Sequence, residues 1–156
     1  EVFAQAGARQ DQVVVALNIA TSLRQKLRGT PCRAYISDMQ LEVVQADAVF
    51  YPDVMVSCHP EDLAAERVLH HPRVIIEVLS DSTAAYDRGA KFAAYRLLDS
   101  LQEYVLADPA RRSVEIFRRL PSNDWLLATG DSARGLVLAA LELEIGLDEV
   151  FEDVGA

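Results

Sequence analysis

The stretch Val74-Ile-Ile-Glu-Val-Leu79 decides how this chain is read. It is a nearly continuous aliphatic run, the pattern of a strand buried on both faces, yet it carries a carboxylate at Glu77. Alternation places Ile75, Glu77 and Leu79 on one face and Val74, Ile76 and Val78 on the other. An ionised carboxylate in such surroundings costs several kcal/mol, or about 3–5 pKa units, unless something compensates it. A divalent cation shared with a second carboxylate is one compensation. A structural ion pair with Arg or Lys is the other.

Upstream, Tyr51-Pro-Asp-Val-Met-Val56 offers Asp53 at the start of a strand, where it could bind metal or simply cap a bulge. Downstream, Lys91 closes Tyr86-Asp-Arg-Gly-Ala-Lys91. Only Lys26 and Lys91 are lysines among the 15 basic residues, so arginine serves wherever charge alone suffices and a compact ammonium is wanted at 91. Asp87, Lys91 and Tyr95 are spaced by four on one helical face, so an Asp87–Lys91 pair is the simpler reading of both. Two carboxylates and a lysine around a cation make a phosphodiester-hydrolysis constellation.

Around this centre the pattern reads helix, strands, helix, strands, which predicts a sheet with helices packed on it. An amphipathic helix is expected over 9–28, with Val13, Leu17, Ala20, Leu23 and Leu27 on one face and Gly29 as its stop. Strands are expected at 32–36 and 41–44, joined as a hairpin at Ser37-Asp38, and at 49–57, interrupted by Pro52. Residues 59–72 read as a charged loop with a short helical turn at 63–68. A helix follows over 86–98, capped by Ser80-Asp-Ser-Thr83. Further strands are expected at 103–107, 113–118, 125–128 and 137–143, and an acidic helix at 147–154.

Length, composition and charge bound the function. The 156 residues, 51% hydrophobic and 25% charged, suit one soluble domain spanning 1–156. No apolar run could span a bilayer, so no membrane role and a cytoplasmic location are expected. The first residue is Glu rather than Met, so an N-terminal segment is expected to be missing. Cys32 and Cys58 read as buried reduced thiols, with a disulfide or metal role as the alternative. His59, His70 and His71 lie beside prolines in one loop. A zinc site would want ligands on rigid elements, so the loop reads as solvated. The net charge of −9 counts against tight duplex binding. Arg111-Arg112 and Arg118-Arg119 read as a solvated strand edge rather than a phosphate patch.

The motifs Tyr51-Pro-Asp-Val-Met-Val56, Ile75-Ile-Glu-Val-Leu-Ser80, Ser82-Thr83, Tyr86-Asp-Arg-Gly-Ala-Lys91, Tyr95 and Glu103-Tyr-Val-Leu-Ala-Asp-Pro109 together resemble the Uma2 family of restriction-endonuclease-like proteins, from Gly7 to about Val150. The resemblance implies an α/β (α+β) restriction-endonuclease-like fold of the PD-(D/E)xK class, a mixed β-sheet flanked by helices. It implies Mg2+ or Mn2+ held by Asp53, Glu77 and the carbonyl of Val78, with Asp53, Glu77 and Lys91 catalytic and Asp87 and Tyr95 orienting Lys91. Leu79 stands where a Glu-x-Lys lysine would fall, and Lys91 on the next helix takes its place. The family's first-helix histidine is replaced by Asp11 or Gln12, and its upstream acidic helix lies outside this sequence. DNA is the implied substrate, and a homodimer is expected through the terminal strands. Two other functions remain open: a catalytically inactive, nuclease-fold interaction protein, and a phosphoesterase acting on a small nucleotide.

Overall fold

A computed structural model describes residues 9–130 and 133–155. Its elements are α1 (Gln10–Lys26), β1 (Arg33–Ile36), β2 (Gln40–Val43), β3 (Ala48–Phe50), β4 (Val54–Ser57), α2 (Pro60–Ala64), β5 (Val68–Leu69), β6 (Pro72–Val78), α3 (Ala84–Arg88), α4 (Ala90–Tyr95), β7 (Glu103–Asp108), β8 (Ser113–Arg119), β9 (Trp125–Thr129), β10 (Leu136–Leu138), β11 (Leu143–Ile145) and α5 (Leu147–Val150). The architecture is the mixed sheet flanked by helices that the sequence implies. Six strands run β1-β4-β6-β7-β8-β9, with small sheets β3-β2-β5 and β10-β11 beside them. All neighbours in the large sheet are antiparallel except β6 and β7. A parallel pair needs a long crossover, and α3 and α4 supply it.

β6 obeys its alternation. Val74, Ile76 and Val78 join α1, α5 and the β10-β11 hairpin in one core. Ile75 and Leu79 join Met55, Phe92, Tyr95, Tyr104 and Leu106 in a second core on the opposite face. Glu77 points into this second core.

Several local expectations are corrected. The buried face of α1 is Val15, Ile19, Ala20, Ser22 and Leu23; Ala20, Leu23 and the capping Leu27 are buried as expected, while Val13 and Leu17 are exposed. The first strands do not form a hairpin: β1 pairs with β4, and β2 with β3 and β5. The run 49–57 divides at Pro52, which has no N–H for a ladder, and its halves enter different sheets. The run 59–72 holds α2 and β5, and its helical turn begins at Pro60 rather than Leu63. Helix 86–98 breaks at Gly89, whose φ of −107° and ψ of −95° are not helical. The run 137–143 is β10, a 3-10 turn at Ala139–Leu141 and the start of β11. The last helix stops at Val150.

Arg111 and Arg112 are exposed, as expected of a solvated edge, whereas Arg118 and Arg119 are half-buried and engaged. Arg118 bonds Glu103 and the Val137 carbonyl, Arg119 bonds the carbonyls of Leu98 and Leu101, and Arg112 bonds that of Phe151.

The cysteines are not reduced thiols. Arg33 pairs with Ser57 across β1 and β4, so the next step of that register sets Cys32 against Cys58, and the two form a disulfide. Air-oxidised protein unfolded without reductant should therefore show no free thiol to Ellman's reagent. Closing a loop with a sequence separation of 26 should be worth about 3.5 kcal/mol in the chain-entropy picture, lost from urea stability on reduction.

Candidate active site

The register of β4 on β6 pairs Met55 with Ile75 and Val54 with Ile76, so the next step sets Asp53 against Glu77. The two ends are tied reciprocally. The Asp53 N–H donates to Glu77 Oε1 at 3.2 Å, and the Val78 N–H donates to Asp53 Oδ2 at 2.8 Å. Asp53 is thus both a strand-end cap and an acid held beside Glu77.

The crossover supplies the rest. The Tyr95 hydroxyl donates to Glu77 Oε2 at 2.7 Å. Lys91 Nζ lies 3.3 Å from Glu77 Oε2 and 2.9 Å from Asp87 Oδ1. Asp87 also accepts from the Thr83 hydroxyl, and its carbonyl from the Tyr104 hydroxyl. Tyr86, exposed, sets its ring 5.1 Å from Lys91 Nζ. All five side chains named from the sequence therefore meet. Tyr95 bonds Glu77 rather than Lys91, so of the two orienting residues expected from the resemblance only Asp87 touches the amine, which Glu77 also contacts. Val78 contributes its N–H to Asp53. Thr83 and Tyr104 were missed. Tyr104 pairs with Ile75 in the β6–β7 register and so faces the Glu77 side, but finding it required knowing which strand adjoins β6.

The electrostatics follow from burial. Glu77, only 2% exposed, is pushed up to about 7 by desolvation; Lys91 opposes the shift, and the charge of Asp53 adds to it. Desolvation also raises Asp53 above the usual carboxylate range, against the Val78 N–H and Lys91. Burial pulls the Lys91 ammonium down, but Glu77 and Asp87 outweigh it and hold it above its ordinary value. Burial, then Glu77, raises Tyr95, which stays a donor.

Three carboxylates, Asp53, Glu77 and Asp87, thus face one ammonium, and ionisation of all three leaves surplus negative charge in a largely dry site. Its donors are all oxygens, the ligand type of Mg2+ and Mn2+. These residues fit a hard divalent cation.

Fold and site together define a restriction-endonuclease-like α/β protein. The chain belongs to the Uma2 family, described as "Putative restriction endonuclease", whose model matches residues 1–148. Two Synechocystis proteins are similar: uncharacterized protein slr1290, 28% identical over 97% of this chain and 80% of its own length, and uncharacterized protein sll1609, 32% identical over 81% and 73%. The crystal structure described as a "putative nuclease belonging to DUF820" from Anabaena variabilis has the same fold, with a TM-score of 0.76 at 15% identity, covering 97% of this chain and 86% of that one.

The burial of Glu77 sets a pH dependence. Its folded pKa lies above its unfolded value near 4.5, so the folded state holds the proton more tightly. The stability from that proton is complete below about pH 4.5 and is lost as pH rises through 7, a change on the order of 3 kcal/mol. In metal-free buffer, Glu77→Gln should gain stability relative to wild type between pH 5 and 8. Urea midpoints across that range would show the divergence, and parallel curves would contradict it.

Proposed function

We propose that the chain is a divalent-cation-dependent endonuclease, a hydrolase of nucleic-acid phosphodiester bonds with DNA as substrate, acting as one domain. Asp53, Glu77 and the Val78 carbonyl would hold Mg2+ or Mn2+. The observation that carries this reading is the convergence of Asp53, Glu77 and Asp87 on one lysine, with a charge surplus that a cation relieves. Bound there, the ion supplies Lewis acidity toward a phosphoryl oxygen and toward water.

The protein's own groups then divide the work. Lys91 keeps its proton at neutral pH, so it serves as a fixed positive charge for developing phosphoryl negative charge rather than as a base. Asp87 at the end of α3 holds Lys91 on α4 across the Gly89 break, and Tyr95 fixes Glu77 Oε2. The Val78 N–H fixes Asp53 Oδ2, so neither acid rotates freely. Tyr86, exposed beside Lys91, and Tyr51, exposed two residues before Asp53, offer stacking surfaces for unpaired bases. A groove of about 350 Å3 at the C-terminal ends of β6 and β7 mixes Arg9, Arg88 and Arg111 with Asp11, Asp81 and Asp108, and Arg88 pairs with Glu115, so it offers no net basic track. A homodimer is part of the reading: β9 is an edge strand, and Leu126 and Leu127 on it are about half exposed.

The net charge of −9 favours a second reading, a phosphoesterase acting on a small nucleotide, for which a long basic track is unnecessary. Incubation with duplex DNA, single-stranded DNA and a small phosphodiester, with Mg2+ or Mn2+ and with EDTA, separates the two. Metal-dependent cleavage of DNA is expected. Glu77→Ala should abolish it, and Lys91→Ala should slow it about 100–1000-fold. Equal cleavage by wild type and Glu77→Ala would remove the assignment. Turnover of the small phosphodiester alone would replace it with the second reading.

A further inference from the structure

We propose that His59, Glu61 and His71 form a second metal site, for a late first-row divalent ion of the zinc type, separate from Asp53 and Glu77. Their ligating atoms all lie within 4.8 Å of one another. His71 Nε2 is 3.1 Å from Glu61 Oε1, and the His59 ring stacks on the His71 ring with centroids 4.1 Å apart. Two imidazoles and one carboxylate select zinc, copper or nickel over magnesium or calcium, which want oxygen alone.

The segment around them has the rigidity such a site needs. His59 is held between disulfide-bonded Cys58 and Pro60, and His71 immediately precedes Pro72, where β6 starts. Between them the Asp62 carboxylate, 2% exposed, accepts the Ser57 hydroxyl at 2.6 Å and the N–H groups of His70 and His71, both at 2.9 Å. One buried acid therefore fixes the backbone on both sides of the site.

The Glu61 N–H donates to His59 Nδ1 at 3.1 Å. That bond occupies the Nδ1 lone pair and leaves the neutral ring's proton on Nε2, the tautomer from which Nδ1 could ligate once the capping bond is released. Ligation exchanges this capping bond for a metal–nitrogen bond.

Both imidazoles also line a groove of about 690 Å3 with Arg73, Ser100 and Gln102, which leaves room for water on the ion. His71 and Glu77 are six residues apart along extended β6, a separation of about 20 Å. The two sites are too distant to act as one two-metal centre, whose ions lie about 4 Å apart.

Zn2+ titration calorimetry on untagged, oxidised, chelator-stripped protein tests this. One zinc per chain is expected in wild type and in Glu77→Gln, undisplaced by millimolar Mg2+. Affinity should fall at least tenfold in His71→Ala and in His59→Ala. His59→Gln and His71→Gln serve if an alanine variant melts early without metal. No zinc uptake by wild type, unchanged affinity in the histidine variants, or loss of zinc in Glu77→Gln would each overturn the proposal.

Discussion

The buried carboxylate of Glu77 is the constraint around which this molecule is arranged. A strand as apolar as β6 gains from burial on both faces, but its fourth aliphatic neighbour is replaced by an acid that water cannot reach. Each element that meets that acid brings a compensating group: the backbone N–H of Asp53 where β4 begins, the hydroxyl of Tyr95 where α4 ends, and the ammonium of Lys91 one turn earlier. Desolvation still prevails, as the upward shift of Glu77 shows. The packing leaves the site short of positive charge.

Topology explains why these groups can meet. A parallel β6–β7 pair obliges the chain to leave the sheet at Leu79 and return at Glu103, and the crossover passes over the face on which Glu77 stands. Gly89 divides that crossover into two short helices, yet the Asp87–Lys91 pair survives across the break. The opposite face of the sheet carries α1 and the β10-β11 hairpin, and its buried acid is Glu103. Glu103 clamps the hairpin turn through the Ala139 and Ala140 N–H groups and pairs with Arg118. Two buried glutamates on adjacent strands thus have opposite fates. Glu103 meets donors enough to be structural, and Glu77 does not.

What the sequence revealed follows the range of its signals. Period-two alternation is local, so the two faces of β6 and the placement of Glu77 were legible. Spacing by four is local, so Asp87 beside Lys91 was legible too. Strand pairing is not local. The short separation of 32–36 from 41–44 suggested a hairpin, while the true partner of β1 lies beyond Pro52, and with that partner the disulfide was hidden. Helix α1 was found and Ala20, Leu23 and Leu27 are buried as read, but Val13 and Leu17 were misplaced, because they are as apolar as Val15 and Ile19. Arg118 and Arg119 read as surface residues because their acceptors, a buried glutamate and the carbonyls closing the crossover, come from distant segments.

Those committed arginines bear on the chemistry. Phosphate affinity scales with the cations free to release counterions, and in this acidic chain Arg112, Arg118 and Arg119 already hold the fold together. In the reading as a nuclease, recognition therefore leans on the ion at Asp53 and Glu77, on Lys91 and on flanking tyrosines more than on a basic surface. The two ends of β6 then differ in kind. The Glu77 end presents oxygen donors with excess charge, suited to a hard cation that also meets phosphate. The His71 end presents imidazoles on a frame fixed by Asp62 and a disulfide, suited to a borderline ion held for itself. One strand can carry both because donor chemistry, rather than affinity alone, decides which metal each end keeps.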